Sequence, residues 1–458
     1  MNSEMISTIF DKLPRVGVFS FRYSGRRPKP ETPKMPNPKL AIIAASAAFA
    51  CALSASEKSA LDGYVKCGML TRQEAAEISK SAASVEPRRP ETKKLKLSSR
   101  IQLQYEWTDS SMISEYSGAS GGSGASSFLA RRIFIEASAD LGGGWKAQFG
   151  VDLARTQANS FLIDNYVAKS IEGEYIDGTL YLGYMKPQFI YEETTSSFEL
   201  SAIERSPATM FWSGAASATR MGVGNRYAGV RWNGNVRQIP GLAYVLSVTN
   251  SYQLSPEDGR GPSSKLIDNS LAYWFSASYS LKGAEDPWKL KIGAYTMYSS
   301  SANRDNNSAI YSVNPYVAGS WGNLNFWAEY IGSVVADGRM SAAGIREQCS
   351  PYGVNVCAEY LFDAGDFGKA GPVFRYCWLD TDGRGIKISD AVRQAPNVGG
   401  SYDTVQDFYA GINWYLRGND LKIQFGYEYS QFSGPIAGAG GPCCAEAHAA
   451  RVQFQMKM

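Results

Sequence analysis

Basic side chains stand at intervals inside segments that otherwise alternate between polar and apolar residues. Arg100, Lys146, Arg375 and Lys422 each occupy a polar position in such a segment. Arginine and lysine supply charge-assisted hydrogen-bond donors that can replace the hydration shell of an anion such as phosphate. On one shared face these residues predict attraction of small anions, provided that the elements carrying them leave that face open to water.

Those elements are predicted β-strands. In "LKIQFGYEYS", residues 421–430, every odd position is apolar and every even position is polar or glycine, and Gly426 is expected to leave room on the polar face. A period of two is the signature of a strand with one apolar and one polar face. The same alternation recurs in "SRIQLQYEWT", "WKAQFGVDL", "WKLKIGAY", "LNFWAEYIG" and the closing "RVQFQMKM".

The connections between these strands are of two kinds. "SWGN" (320–323) and "RGND" (417–420) are tight turns, whereas 109–127, 334–356 and 381–405 are predicted to be long polar loops. Short turns at one rim and long loops at the other are typical of outer-membrane β-barrels.

A soluble β-sandwich also alternates, so the environment of each face has to be decided. The repeat runs from about residue 98 to residue 458 with no second pattern, and aromatic residues recur near strand ends, as expected for membrane interfaces. A lysine such as Lys422 on the lipid side would cost roughly 2–4 kcal/mol at the bilayer midplane. We therefore expect the apolar face to meet lipid and the polar face to line a lumen.

These observations predict an all-β fold, a transmembrane antiparallel β-barrel of about 16 strands over residues 98–458. That width favours an aqueous channel over a filled core. A short helical segment over residues 56–85, which could form a coiled coil, is predicted to precede it, with a capping box at Thr71 and Glu74. A Pro- and Lys-rich linker over residues 86–97 is expected to join the two.

The N-terminal region has the features of an export signal. The apolar run from Leu40 to Ala55 follows Lys39 and ends in small residues, which predicts a signal peptide over residues 35–55. Residues 1–34 are interpreted as an over-called N-terminal extension, because Met35 begins a normal-looking signal. We accordingly expect export to the cell outer membrane.

Composition excludes several classes of protein. The formal net charge is +3, but residues 1–55 are strongly basic and the remainder carries 38 basic and 40 acidic side chains, so no nucleic-acid partner is indicated. The single histidine, His448, and the seven cysteines form no catalytic triad or metal-binding spacing. We predict no enzyme activity, no metal site and no cofactor.

Several segments together resemble a known family. "LARRIFIEASADLGGGWKAQFGVDLA", then "GYMKPQFIYEETTSSFELSAIERSPATMFW", then "FRYCWLDTDG" are similar, in this order, to the phosphate-selective porin O and P family, and the resemblance covers about residues 59–458. It implies a trimeric outer-membrane porin of roughly 16 strands, in which basic side chains draw anions to a constriction.

The resemblance also implies site residues. Its motifs map onto Arg131 and Arg132, Lys186, Arg205, Arg220 and Arg375. Lys186 and Arg205 flank a segment that could fold inward as a constriction loop. With the strand pattern, the candidate pore-lining and anion-binding residues are Arg100, Arg131, Arg132, Lys146, Lys186, Arg205, Arg220, Arg375 and Lys422.

The functional hypothesis is a water-filled channel for passive diffusion of small anions, with a phosphate preference as its narrower form. Carboxylates share the predicted lumen face with the basic residues, and Met458 closes the chain where such barrels usually have an aromatic residue. A general diffusion porin without phosphate preference and a structural or adhesive envelope barrel therefore stay open as alternatives. The expected partners are outer-membrane lipid, small anions such as phosphate, further copies in a homotrimer, and envelope or peptidoglycan contacts through the N-terminal helical segment.

Overall fold

A computed structural model of the protein describes residue 65 and residues 71–73, 94–113, 124–154, 162–214, 219–250, 271–282, 287–300, 309–341, 343–436 and 444–458. The predicted N-terminal extension and signal peptide lie outside the described residues, as does most of the predicted helical segment. Among the described residues, no helix is long and apolar enough to cross a membrane.

The described β-strands form one antiparallel sheet that closes on itself, because β1 pairs with both β2 and β18. Sixteen of them build the barrel wall, and the two shortest, β12 and β14, extend its rims; the predicted count of about 16 is confirmed. The strands are β1 (Lys94–Ile113), β2 (Ala125–Gly142), β3 (Trp145–Asp152), β4 (Asn165–Ile171), β5 (Ile176–Met185), β6 (Tyr227–Val236), β7 (Leu242–Asn250), β8 (Leu271–Lys282), β9 (Trp288–Ser299), β10 (Ile310–Trp321), β11 (Leu324–Met340), β12 (Arg346–Cys349), β13 (Tyr352–Tyr360), β14 (Phe362–Asp363), β15 (Lys369–Asp380), β16 (Tyr402–Asn419), β17 (Leu421–Pro435) and β18 (Cys444–Lys457).

The alternation in sequence becomes an outside and an inside. On β17, Phe425 and Tyr427 are each 46% exposed on the outer wall, whereas Lys422 faces inward and is 0% exposed. The same division holds on β8, where Tyr273 and Phe275 are exposed on the outer wall. The closed sheet pairs the backbone N–H and C=O groups of neighbouring strands within the wall. Its apolar exterior suits lipid, so both features are those of a membrane-spanning barrel.

Some element boundaries differ from the expectation. β1 begins at Lys94, within the predicted linker, because Lys94–Leu97 already pair with the lower end of β2. Residues 334–356 are not a plain loop, since β11 runs to Met340 and β12 pairs back onto it. The alternation of Lys94–Leu97 is therefore part of the strand, although it lies next to the Pro-rich stretch that suggested a linker.

A β-bulge on β2 sets the direction of the double arginine. Gln102 pairs with Arg132 and Leu103 with Ala130, which leaves Arg131 as the extra residue of the bulge. A bulge allows two consecutive side chains to point to the same side of a sheet. Both arginines therefore reach inward, and neither meets lipid.

Two long connections turn into the barrel. One joins β5 to β6 and contains α1 (Tyr191–Thr194) and α2 (Pro207–Ser213), and we call its described residues, 186–214 and 219–226, the inward segment. The other joins β15 to β16, contains α3 (Ile388–Ala391), and comprises residues 381–401. Both connections start at the rim of the long loops, which is the extracellular rim by the architecture of such barrels.

These two connections bury an apolar core inside the barrel, toward the extracellular rim. Phe189, Phe211 and Trp212 of the inward segment are each 0% exposed and pack against apolar side chains of the inner wall and of residues 381–401. The Trp212 indole Nε1 donates to Ser333 Oγ on β11 at 2.7 Å. The expectation of an unfilled lumen was therefore wrong for this part of the barrel. The number of strands sets the width of the barrel but does not determine which loops fold into it.

The start of α2 is specified locally. Ser206 is the N-cap, and its hydroxyl accepts a hydrogen bond from the Thr209 backbone N–H at 3.2 Å. Pro207 follows at the first helical position, where its fixed φ suits the helix and its missing N–H costs nothing. The cap fixes how the chain enters the buried helix.

Gly426 provides the space that the sequence predicted. A Cβ at this position would lie 2.2 Å from the Tyr409 hydroxyl oxygen, which accepts a hydrogen bond from the Ile203 backbone N–H of the inward segment at 3.3 Å. The missing side chain thus lets Tyr409 lie flat against the wall and hold the segment.

We expect Gly426→Ala to lower the free energy of unfolding by about 1–3 kcal/mol, because the new methyl group displaces Tyr409 in a packed interior. Urea titration of the barrel refolded in lipid vesicles measures this change. Ala410→Val is the matched control, since Ala410 faces outward on the neighbouring β16, opposite Tyr427. Equal stability of Gly426→Ala and the wild type would contradict this account of Gly426.

Candidate functional site

The inward segment is held on the wall by polar side chains that reach its backbone. Lys422 Nζ donates to the Leu200 carbonyl at 2.9 Å, and Gln424 Nε2 donates to the Ser201 carbonyl at 2.9 Å. Gln455 Nε2 donates to the Phe198 carbonyl at 3.0 Å. Lys422, predicted to face pore water, is instead a buried donor to this segment.

Beside this contact lies a network of buried ion pairs on β1 and β15–β18. Arg375 Nη2 lies 3.0 Å from Asp407 Oδ2 and 2.9 Å from Glu428 Oε1. Arg451 bridges Glu428 and Glu106, and its Nε lies 2.6 Å from Glu106 Oε1. These side chains are at most 2% exposed, so the inward segment separates them from the lumen water.

Glu204 of the inward segment is the centre of a second set of pairs. Arg131 makes a two-point contact with it, at 2.6 and 2.9 Å, and Arg393 Nε reaches it at 3.1 Å. Arg132 lies 3.9 Å away. Burial raises the pKa of Glu204, but the guanidinium groups of Arg131 and Arg393 outweigh burial and hold the pKa well below its ordinary value.

Together these pairs form what we call the neutral network, in which five guanidinium groups face five carboxylates. Each buried charge has an opposite charge beside it, as buried ions require. Its members are Arg131, Arg132, Arg375, Arg393, Arg451, Glu106, Glu192, Glu204, Asp407 and Glu428.

On the opposite side, toward β4–β6, the inward segment carries a different charge arrangement. Glu193 Oε1 lies 2.5 Å from Lys186 Nζ, and Glu193 Oε2 lies 2.8 Å from Arg205 Nε. Arg205 Nη2 also donates to the Thr195 carbonyl at 3.1 Å. The structure thus brings together Lys186 and Arg205, the two predicted residues that flank the segment.

Two further arginines adjoin this group. Arg226 makes a two-point contact with Asp164, at 2.9 and 3.3 Å. Arg231 of β6 donates from Nη1 to the Lys186 carbonyl at 2.7 Å, and its guanidinium lies 4.3 Å from the centre of the Tyr181 ring. We call Lys186, Arg205, Arg226, Arg231, Glu193 and Asp164 the cationic cluster, because four positive groups face two carboxylates and leave a net charge of +2.

Ionisation within the cluster follows burial and charge. Burial, together with the positive charges of Arg205 and Arg226, outweighs the attraction of Glu193 and lowers the pKa of Lys186 to about 8. Burial raises the pKa of Glu193, but Arg205 and Lys186 outweigh burial and bring it to about 2. At neutral pH both groups are charged, and Lys186 is the cluster member nearest to its titration.

The remaining predicted residues lie apart from the cationic cluster. Arg100 pairs with Glu136 at 2.8 Å and stands over the rings of Phe134 and Phe198. Arg220 pairs with Asp390 at 3.0 Å, which ties the inward segment to residues 381–401. Lys146 is exposed near the rim of short turns.

Sequence reasoning missed several charged residues that the structure places inside. Arg231 could have been found from the strand pattern. In "RYAGVRWN", Ala228, Val230 and Trp232 are the outward positions, so Arg231 between them must face inward. Arg393 gave no signal, because it belongs to a connection without periodicity. By contrast, Lys282, Lys289 and Lys291 lie on polar positions of β8 and β9 and face the lumen near the rim of short turns, as the strand pattern predicts.

No described group of side chains forms a metal site. Among the described cysteines, Cys349, Cys357 and Cys377 are buried and have free thiols. His448 lies on the outer wall of β18, where its Nδ1 is 2.7 Å from the Tyr427 hydroxyl. Its surroundings are aromatic side chains of the exterior.

Comparison with known families gives one match. The family model described as Phosphate-selective porin O and P matches residues 100–239, which run from β1 through the inward segment into β6 and the turn after it. This agrees with the resemblance carried by the sequence motifs, and it concerns a family of channels rather than of enzymes. A search of curated proteins finds no match.

Solved structures of low sequence identity are also similar. An anion-selective porin from Comamonas acidovorans is 12% identical, with 80% of this chain and 100% of that chain covered and a TM-score of 0.48. OmpF of Salmonella typhi, in complex with daunomycin, is 14% identical over 79% and 98%, with a TM-score of 0.47. The outer membrane channel DcaP of Acinetobacter baumannii is 11% identical over 79% and 97%, with a TM-score of 0.46.

The closed 16-stranded wall, its apolar exterior and the porin match over residues 100–239 identify an outer-membrane channel for diffusion. Its interior divides into a neutral network on one side of the inward segment and a cationic cluster on the other.

The pKa of Lys186 predicts a pH dependence of ion selectivity. Raising the pH from 7 to 9 crosses the pKa of about 8, removes one positive charge and reduces the cluster from +2 to +1. We expect the ratio of chloride to potassium permeability, measured from reversal potentials, to fall over this interval. Lys186→Arg is the control, because a guanidinium stays charged throughout and should remove the dependence. A wild-type ratio that is constant from pH 7 to 9 would contradict the assignment.

Proposed function

We propose that the channel prefers small anions, and phosphate among them. The observation that carries this proposal is the net charge of +2 on the cationic cluster, beside a neutral network whose positive and negative groups balance. A few uncompensated charges in a narrow, low-dielectric passage shape the local field more than the net charge of the whole chain does.

The mixed charges of the lumen face support this proposal once they are assigned to partners. Glu106 and Glu428, which suggested a general diffusion porin, are both paired within the neutral network. Arg451 and Arg375 balance their negative charges, so these carboxylates add little negative potential to the lumen. An ion passing the inward segment on the β4–β6 side therefore meets more positive than negative groups.

The donors of the cluster suit phosphate. Arg231 is 8% exposed, and among the described residues its Nε has no hydrogen-bond partner. Arg205 contributes a second guanidinium group to the same cluster, and Lys186 contributes an ammonium group. Guanidinium and ammonium donors together can replace several water molecules of a phosphate hydration shell. The family description of the matched model, phosphate-selective, points in the same direction.

A homotrimer in outer-membrane lipid belongs to the same proposal. It rests on the resemblance to the porin O and P family and on the exposed apolar exterior of the barrel. Contact with envelope or peptidoglycan through the N-terminal helical segment would be a further property of the full chain, and deletion of residues 56–85 with loss of murein cosedimentation would support it.

Planar-bilayer recording tests the proposal. In a potassium chloride gradient we expect a reversal potential of the sign for anion preference, conductance that appears in triplets of equal steps, and a chloride current reduced by millimolar phosphate. Cation preference without a phosphate effect would instead establish a general diffusion porin. Absence of conductance from correctly folded protein would favour a structural envelope barrel, and independent single steps would contradict the trimer.

A further inference from the structure

A second site lies below the inward segment, away from the cationic cluster. A cavity of about 1240 Å³ opens there, lined by the turns and strand ends of the rim of short connections. We call it the vestibule. By the architecture of such barrels this rim faces the periplasm.

Three lysines stand together on one wall of the vestibule. Lys282 of β8 and Lys289 of β9 are directly opposite each other in the strand register, and Lys291 is the next inward residue on β9, opposite Ser280. All three are exposed and line the cavity. Among the described residues, none of them forms an ion pair.

This arrangement of three ammonium groups has an energetic cost. Like charges directly opposite on neighbouring strands repel each other, and their Cβ atoms are only about 4.5–5.5 Å apart. An anion between the ammonium groups would remove that repulsion. This wall of the vestibule therefore favours the binding of an anion.

Three carboxylates of the described residues also line the vestibule, but none of them forms an ion pair with these lysines. Glu359 accepts hydrogen bonds from Asn413, Tyr415 and Ser201. Glu192, at the margin, accepts from Ser206. Glu199 is exposed at the cavity, where Lys369 adds a fourth ammonium group on the far wall.

Aromatic rings adjoin the lysines. Lys291 Nζ lies 6.0 Å from the centre of the Tyr316 ring, which stacks on Tyr191 with centroids 4.7 Å apart. Trp327 lies 5.7 Å from Tyr191, and both of these rings line the vestibule. Ala318, between Lys291 and Trp327 in the register, has too small a side chain to separate them.

The aromatic wall is compatible with a bound anion. Burial raises the pKa of Tyr191 to about 12, so its hydroxyl remains neutral at physiological pH. Flat rings offer an apolar surface on which another ring can stack in an offset or edge-to-face arrangement. Ammonium groups and an aromatic surface thus line the same cavity, joined through Tyr316.

We propose that the vestibule binds aromatic anions, with the acid group at Lys289 and Lys291 and the ring against Tyr191 and Trp327. The site is distinct from the cationic cluster, which lies on the β4–β6 side and shares no residue with it. The proposal rests on the proposed function only in that the barrel conducts ions, and it does not depend on phosphate preference.

Benzoate is the probe, and acetate is its counterpart without a ring. In planar-bilayer recordings of the full protein, we expect benzoate to reduce the chloride current at roughly 3- to 10-fold lower concentration than acetate, since ring stacking adds to the charge contact. Benzoate added at the rim of short turns should act at lower concentration than benzoate added at the other rim. Equal concentrations of benzoate and acetate for half-block would overturn the proposal.

Variants separate the charge from the ring. Lys289→Gln with Lys291→Gln should raise the half-blocking concentration of benzoate roughly tenfold. Trp327→Leu should remove the advantage of benzoate over acetate, and Trp327→Phe should restore it. Lys169→Gln is the matched control, because Lys169 lies at the same rim on the outer wall, 5.3 Å from the Trp145 ring. Block that the double lysine variant leaves unchanged would overturn the assignment.

The outcomes also distinguish this proposal from the proposed function. Selective benzoate block in a channel without anion preference would support the vestibule site and refute the role of the cationic cluster. Anion preference with no difference between benzoate and acetate would do the reverse.

Discussion

The interior of this barrel depends on the attachment of the inward segment to the wall. Lys422 and Gln424 on β17, Gln455 on β18 and Tyr409 on β16 bind its backbone, and Glu204 binds the arginines of β2. Once the segment lies there, it divides the charged inner wall into the neutral network on one side and the cationic cluster on the other. The distribution of charge that an ion meets follows from this division.

Each side of the segment satisfies a different physical requirement. Charges withdrawn from water need partners, and the neutral network gives every guanidinium a carboxylate. The cationic cluster is also largely buried, but it holds four positive groups against two carboxylates and so retains a net positive charge. The same residue types thus hold the fold on one side and are available to a passing ion on the other.

The sequence predicted the wall better than the interior. Alternation of polar and apolar residues is a direct consequence of a sheet between lipid and an inner space, so the strands, their facing and the space at Gly426 were all readable. The bulge at Arg131 was not, because one extra residue leaves the local composition unchanged. It nevertheless decides that both arginines of the pair turn inward.

The sequence could not show which charged side chains pair with each other. Lys422 and Glu428 stand six residues apart on one face of β17, but Lys422 binds a carbonyl and Glu428 binds two arginines. Arg393 comes from a connection without any periodicity and still completes the neutral network. Such contacts join residues hundreds of positions apart, and only the folded inward connections bring them together.

The central claim is that ion selectivity comes from the cationic cluster and not from the arginine-rich neutral network. The most direct measurement compares reversal potentials of Arg226→Gln with Arg231→Gln, which reduces the cluster from +2 to zero, against Arg393→Gln, which removes one charge from the network. The account predicts that the double variant loses anion preference while Arg393→Gln keeps most of it. Loss of preference in Arg393→Gln with preservation in the double variant would contradict it.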